Sequence, residues 1–254
     1  MSRVILQTHD LTVRFGGHVA VDHVSCAFRT GELTAIVGPN GAGKTTYFNL
    51  ISGQIPSSEG RVELNGRDIT RASVSDRCAR GIGRAFQLTN LFPDLSVLEN
   101  VRLVIQSKAK MGFSLFSMAD SHRDVTDRAK AVLEKVKLFD LRDQVVSALS
   151  HGNQRKLEVA MLIALDPAVY MFDEPTAGMS VDEAPVVLDL IAELKAEKDR
   201  TILLVEHKMD VIRTLADRII VLHNGMLAAD GDPVTVMASD VVQEAYMGKE
   251  LEDV

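Results

Sequence analysis

Apolar and polar residues alternate along Leu11-Thr12-Val13-Arg14-Phe15, turn at Gly16-Gly17, and alternate again along Val24-Ser25-Cys26-Ala27-Phe28, predicting two half-buried strands. Leu33-Thr34-Ala35-Ile36-Val37 is a short apolar run of the fully buried kind, and it stops at a glycine-rich loop. A helical pattern follows from Thr45 to Ser52. Arg61-Val62-Glu63-Leu64, ahead of Asn65-Gly66, reads as one arm of a hairpin. From Ser96 to Val145 the period becomes helical: Ser96 and Glu99 have capping-box spacing, and Val125, Ala129, Val132, Leu133 and Val136 form a stripe. Buried strands at Ala168–Phe172, Ile202–Val205 and Ile219–Leu222 then alternate with an amphipathic helix over Glu183–Lys198, which predicts a parallel sheet flanked by helices. The helical middle reads as an insertion, at about 88–155, in a single domain spanning 1–254.

Composition narrows the function classes. The 254 residues are 46% hydrophobic and 25% charged, ordinary values for a globular chain with a sizeable core. The net charge of −7 speaks against a sequence-independent nucleic-acid binder, so no nucleic-acid partner is expected. Cys26 and Cys78 form no CxxC and read as reduced residues of a cytosolic protein. The N-terminal apolar run ends after Val4-Ile5-Leu6, so no signal peptide is expected, and no stretch is long enough to span a membrane.

The strongest chemical signal is Gly38-Pro39-Asn40-Gly41-Ala42-Gly43-Lys44-Thr45, a full match to G-x-x-x-x-G-K-S/T, with Thr46 following. Small residues let the backbone wrap a phosphate chain with its N–H groups pointing inward, and the next helix adds its positive end. Lys44 can reach the β- and γ-phosphates, and the Thr45 hydroxyl is placed to hold Mg2+. Val169-Tyr170-Met171-Phe172-Asp173-Glu174 is a buried strand ending in two carboxylates at the ligand-binding edge of a parallel sheet. Asp173 would assist the metal, and Glu174 would polarise the attacking water. Weaker signals are Gln87, a neutral amide able to touch metal or water; Ser150 and Gly152, at a helix start; and His207, after a buried strand. Taken alone, Gln87 reads as a surface residue, Ser150 as a plain helix cap and His207 as structural.

In order along nearly the whole chain, these motifs resemble the ATP-binding cassette (ABC) ATPases. The resemblance implies a P-loop NTPase of ABC ATPase fold: a parallel-sheet core with an N-terminal antiparallel β subdomain and an inserted α-helical subdomain. Gly38 to Thr45 matches the phosphate loop, Gln87 the glutamine loop and Leu149 to Gln154 the signature peptide. Phe172-Asp173-Glu174 matches the metal and base strand, Ala177 to Ser180 the D-loop and His207 the switch histidine. Phe15 matches the aromatic that stacks on adenine, its other reading being strand core. His151, Asn153 and Ser180 depart from the family, which usually has Gly, Gln and Asp there.

Phe15-Gly16-Gly17, the long stretch from Gln87 to Leu149, Gly178, His151 and Ala245-Tyr246-Met247-Gly248 narrow the resemblance to ATPase subunits of branched-chain amino-acid importers. That implies ATP and Mg2+, a second ATPase subunit (the same chain or a sister), integral-membrane permeases and, indirectly, a periplasmic binding protein. It also implies a peripheral location on the cytoplasmic side of the bacterial inner membrane. The alternatives are the ATPase of a lipopolysaccharide exporter, a urea or short-amide importer, and a non-transport cassette ATPase. An apolar cluster of Met111, Phe113, Leu115, Phe116 and Met118 reads either as packing of the insertion or as a docking surface.

Overall fold

The computed structural model describes residues 3–85, 91–108 and 118–239. In chain order the elements are β1 (Val4–Phe15), β2 (His18–Arg29), β3 (Leu33–Val37), α1 (Lys44–Ser52), β4 (Glu59–Leu64), β5 (Arg67–Asp68), α2 (Val74–Ala79) and β6 (Ile82–Arg84). There follow α3 (Val97–Lys108), α4 (Met118–Lys135), α5 (His151–Leu165), β7 (Val169–Asp173), α6 (Ala184–Ala196), β8 (Thr201–Val205), α7 (Met209–Leu215), β9 (Arg218–His223), β10 (Met226–Gly231) and α8 (Pro233–Met237). They fall into two compact units: Met1–Ile82 with Ala168–Glu174 and Leu194–Val254, and Gly83–Pro167 with Pro175–Glu193.

The first unit holds two sheets. The antiparallel one runs β2-β1-β4-β5. The other runs β10-β9-β3-β8-β7 and continues toward β6. Its centre is parallel: β3 pairs with β8 and β9, and β7 with β8. All five residues of β3 and of β8 are buried, which is why those strands lack a polar face. The sequence pattern predicted a parallel sheet flanked by helices; β10 adds an antiparallel edge to that parallel core by pairing with β9.

Buried Arg77 ties α1 to the loop that follows β5. Its guanidinium donates to the Leu50 and Ile51 carbonyls at 2.7 Å each, to Thr70 O at 2.7 Å and to Ala72 O at 3.1 Å. Two of these acceptors belong to the last turn of α1, whose carbonyls have no helical partner. Burial pulls the Arg77 pKa below the ordinary arginine value, yet four carbonyl oxygens compensate the charge. Arg77→Met is therefore expected to destabilise the protein by about 3 kcal/mol, because it strands these acceptors. A urea unfolding midpoint unchanged from wild type would contradict the assignment.

In the second unit α3, α4 and α5 pack together. Val125, Ala129 and Leu133 bury the expected stripe of α4. Val132 is half-buried, and Val136 lies beyond the helix end. Ser96 Oγ accepts the Glu99 N–H at 3.2 Å, but the Glu99 carboxylate pairs with Arg102, so only half of the expected capping box forms. Fully buried Asn100 pins the turn before α3. It donates to Phe92 O and Ser96 O and accepts the Phe92 N–H at 2.8 Å.

Candidate functional site

The phosphate loop bridges the buried end of β3 and the start of α1. Its shape comes from backbone that side chains would obstruct. Gly38, at φ 148°, has so little room that a Cβ would lie 2.1 Å from Leu222 O. Gly43, at φ 95°, would place one 2.5 Å from Ala20 O. Gly43 caps α1 without a side chain, and no acid occupies the first turn, so the positive helix end stays open to an anion. Lys44 Nζ donates to Gly38 O at 2.7 Å and Pro39 O at 3.0 Å, which holds the ammonium across the loop.

Around the loop lies a cavity of about 410 Å3, lined by Asn40 to Thr46, by Phe15, His18 and Ala20 of the first hairpin, and by Glu174. Phe15 is 53% exposed, so it is not strand core; its ring is free to stack on a base. His18 and Ala20 also line the cavity, and sequence reasoning did not select them.

Glu174 follows Asp173, the last residue of β7. Its backbone is left-handed, φ 50°, a conformation costly for a residue with a Cβ, and its N–H donates to Val205 O at 2.9 Å. The turn brings Glu174 Oε1 to 3.9 Å from His207 Nδ1. Glu206 completes this arrangement. Its carboxylate is 1% exposed, accepts the N–H groups of His207 at 2.7 Å and Lys208 at 3.3 Å, and stands 3.6 Å from His207 Nδ1. It therefore fixes the backbone that presents the imidazole. Sequence reasoning did not select Glu206; the available signal was a charged residue directly after an apolar run.

The second unit places Ser150 as the N-cap of α5, with its Oγ accepting the Asn153 N–H at 3.2 Å. Gly152 is pressed against Glu183: a Cβ there would lie 2.0 Å from Glu183 Oε2. That carboxylate also accepts the Ser180 hydroxyl at 3.1 Å. Gln87, Met111, Phe113, Leu115, Phe116 and the 245–248 tail lie outside the described residues.

The donor set fits Mg2+. Thr45 is the second residue of α1 and Asp173 closes β7, both oxygen donors; Mg2+ takes one or two protein oxygens and completes its shell with phosphate and water. Among the described residues no cluster of three or more His, Cys, Asp or Glu forms a dedicated metal cage.

The sequence profile of the ABC transporter family matches residues 21–177, a span that includes the phosphate loop, the signature peptide and Glu174. The chain belongs to that family. The cassette is 35% identical to the high-affinity branched-chain amino acid transport ATP-binding protein LivG of Salmonella typhimurium, over 98% of this chain and 100% of the relative. It is 34% identical, with the same coverage, to BraF of Pseudomonas aeruginosa, which carries the same description. Among solved structures it matches a nucleotide-free ATP-binding cassette from an ABC transporter, with TM-score 0.81 and 30% identity over 96% of this chain and 99% of that one. A match to the ADP conformation of the MJ1267 cassette has TM-score 0.81 and 29% identity, over 97% and 100% of the two chains. This cassette is thus an ATPase of a transport system. Among its described residues no helix is long and apolar enough to cross a membrane.

Proposed function

We propose that this chain is the ATP-hydrolysing motor subunit of an importer for branched-chain or closely related amino acids. The observation that carries this reading is the match, end to end in both chains, with branched-chain amino acid transport ATP-binding proteins. In this reading the two compact units form one nucleotide-binding domain.

The nucleotide lies with its base on Phe15 and its phosphates in the cradle of Gly38 to Thr46, against Lys44 and the α1 N-terminus. Thr45, Asp173 and Gln87 would hold Mg2+, which would supply charge neutralisation at the phosphate oxygens. Glu174 takes a proton from the attacking water, and His207 steadies the γ-phosphate, with Glu206 fixing its backbone. Ser150 and Gly152 serve the nucleotide of a second ATPase subunit.

Coupling to permease subunits runs through the segment from Gln87 to Pro93. Phe92 at 48%, Leu95 at 37% and Val145 at 42% exposure give that part of the second unit an apolar surface, and Asn100 holds the Phe92 turn rigid beneath it. The periplasmic binding protein acts only through the permeases, and the cassette works on the cytoplasmic face of the inner membrane.

A strain lacking this chain is expected to lose uptake of labelled leucine, isoleucine and valine, with uptake restored by the wild type and not by Glu174→Gln. Normal uptake with a defective outer-membrane lipid layer would reassign the motor to lipid export. Loss of urea or short-amide uptake alone would reassign its cargo.

A further inference from the structure

Away from the nucleotide cavity, the first unit concentrates positive charge in a chain whose net charge is −7. Arg3 before β1, Arg67 at the start of β5 and Arg80 at the C-cap of α2 line a second cavity of about 410 Å3, with Leu64, Asn65 and Ile69 completing its wall. No carboxylate lines it. None of the three guanidinium groups makes an ion pair among the described residues.

The three arginines come from separate segments, each anchored through its backbone. The Thr30 N–H donates to Arg3 O at 2.9 Å. The Asn65 N–H donates to Ile5 O at 2.7 Å, fastening the turn before Arg67 to the strand that follows Arg3. Arg80 closes α2, the helix that buried Arg77 clamps to α1 and the β5 loop. Leu64 and Ile69, 3% and 2% exposed, make an apolar floor.

A neighbouring cavity of about 600 Å3 shares Arg80 and adds Arg61 and Arg71. Its two carboxylates are engaged locally. Asp68 accepts Thr70 N–H and Oγ1–H at 2.8 and 2.6 Å, which holds its pKa below the ordinary value, and Asp76 accepts the Ser73 hydroxyl at 2.8 Å.

We propose that the Arg3–Arg67–Arg80 groove is a binding site for a phosphate group, separate from the nucleotide site. Guanidinium forks match phosphate oxygens in pairs, and three of them lining one cavity with no carboxylate in its wall suit a dianion or a phosphodiester better than a lone carboxylate, which one arginine satisfies. The same chemistry is offered by a soluble phosphate compound and by the headgroup of an anionic phospholipid.

The test uses the full chain with its nucleotide pocket saturated by a non-hydrolysable ATP analogue and Mg2+, which fills the γ-phosphate position so that the phosphate loop cannot answer for the groove. One arm titrates inorganic phosphate and follows binding by calorimetry. The other floats the protein with phosphatidylcholine vesicles made with or without phosphatidylglycerol. Arg67→Ala and Arg80→Ala are each expected to weaken binding about tenfold, while Arg71→Ala, outside the groove, changes it by less than about threefold. ATP turnover stays at the wild-type rate in all three and reports on folding. Should an alanine variant lose turnover, Arg67→Lys, which keeps the cation and loses the fork, is scored in its place.

Binding in the phosphate arm alone assigns the groove to a soluble ligand, and retention on phosphatidylglycerol alone assigns it to a headgroup. Wild-type protein that binds neither probe, or groove variants that bind as tightly as wild type, would overturn the proposal.

Discussion

Exchanging Glu174 for glutamine is expected to slow ATP turnover by about 10^2–10^4-fold while nucleotide affinity stays within about twofold of wild type. Glutamine has nearly the same shape and keeps an oxygen toward the water, but its amide cannot accept a proton at neutral pH. The left-handed backbone at Glu174 is the reason for a large effect. The carboxylate is placed by the chain itself, through a conformation that β8 holds in register at Val205, so no neighbouring acid slides into its position. Asp173 belongs to the preceding strand residue and projects differently. Single-turnover hydrolysis with equilibrium nucleotide binding separates the two quantities. Hydrolysis at the wild-type rate would remove Glu174 from the role of base.

The second large effect concerns Ser150, and it depends on which chain carries the change. If Ser150 serves a partner's nucleotide, a mixed dimer of one Ser150→Arg chain and one Glu174→Gln chain keeps one intact site and about half of the activity. A dimer in which both changes share one chain, beside a wild-type partner, has none. If Ser150 served its own chain's nucleotide, the two results would exchange. Replacement by arginine suits this test because Ser150 caps α5 through its hydroxyl at an exposed position, where a long cation fills the approach and leaves the core of the unit intact. The assay is steady-state phosphate release from purified mixed dimers.

Much of the architecture was legible because the chemistry is local. β3 and β8 are unbroken apolar runs, the phosphate loop is an eight-residue motif, and the α4 stripe keeps helical spacing. What escaped was set by tertiary context. In β10, Met226-Leu227-Ala228-Ala229-Asp230-Gly231 has weak strand propensity and only half-buried alternate positions; it is a strand because β9 offers it an edge. α2 has six residues, too few for a helical period, and owes its place to the Arg77 clamp. The same distinction holds in the site. Lys44, Thr45, Asp173 and Glu174 sit in recognisable strings, whereas Glu206 and His18 matter through neighbours distant in the chain or through burial that single-residue reasoning does not register.

The crowding around the Ala20 carbonyl bears on how the nucleotide is received. Gly43 of the phosphate loop and Gly225 of the β9–β10 turn both press on that oxygen, where a methyl group would come within 2.5 and 2.8 Å. The Gly225 N–H also donates to Ala42 O at 3.1 Å. The loop is thus wedged between a hairpin near one end of the sequence and a turn near the other, and folding itself has already removed most of its conformational freedom. Phosphate therefore meets a stiff receptor, and little ordering entropy is left to be lost at the moment of binding. The cost of shaping the cradle appears instead in the stability of the whole first unit, so a change as remote in sequence as Gly225 would loosen the grip on ATP without touching any residue of the motif.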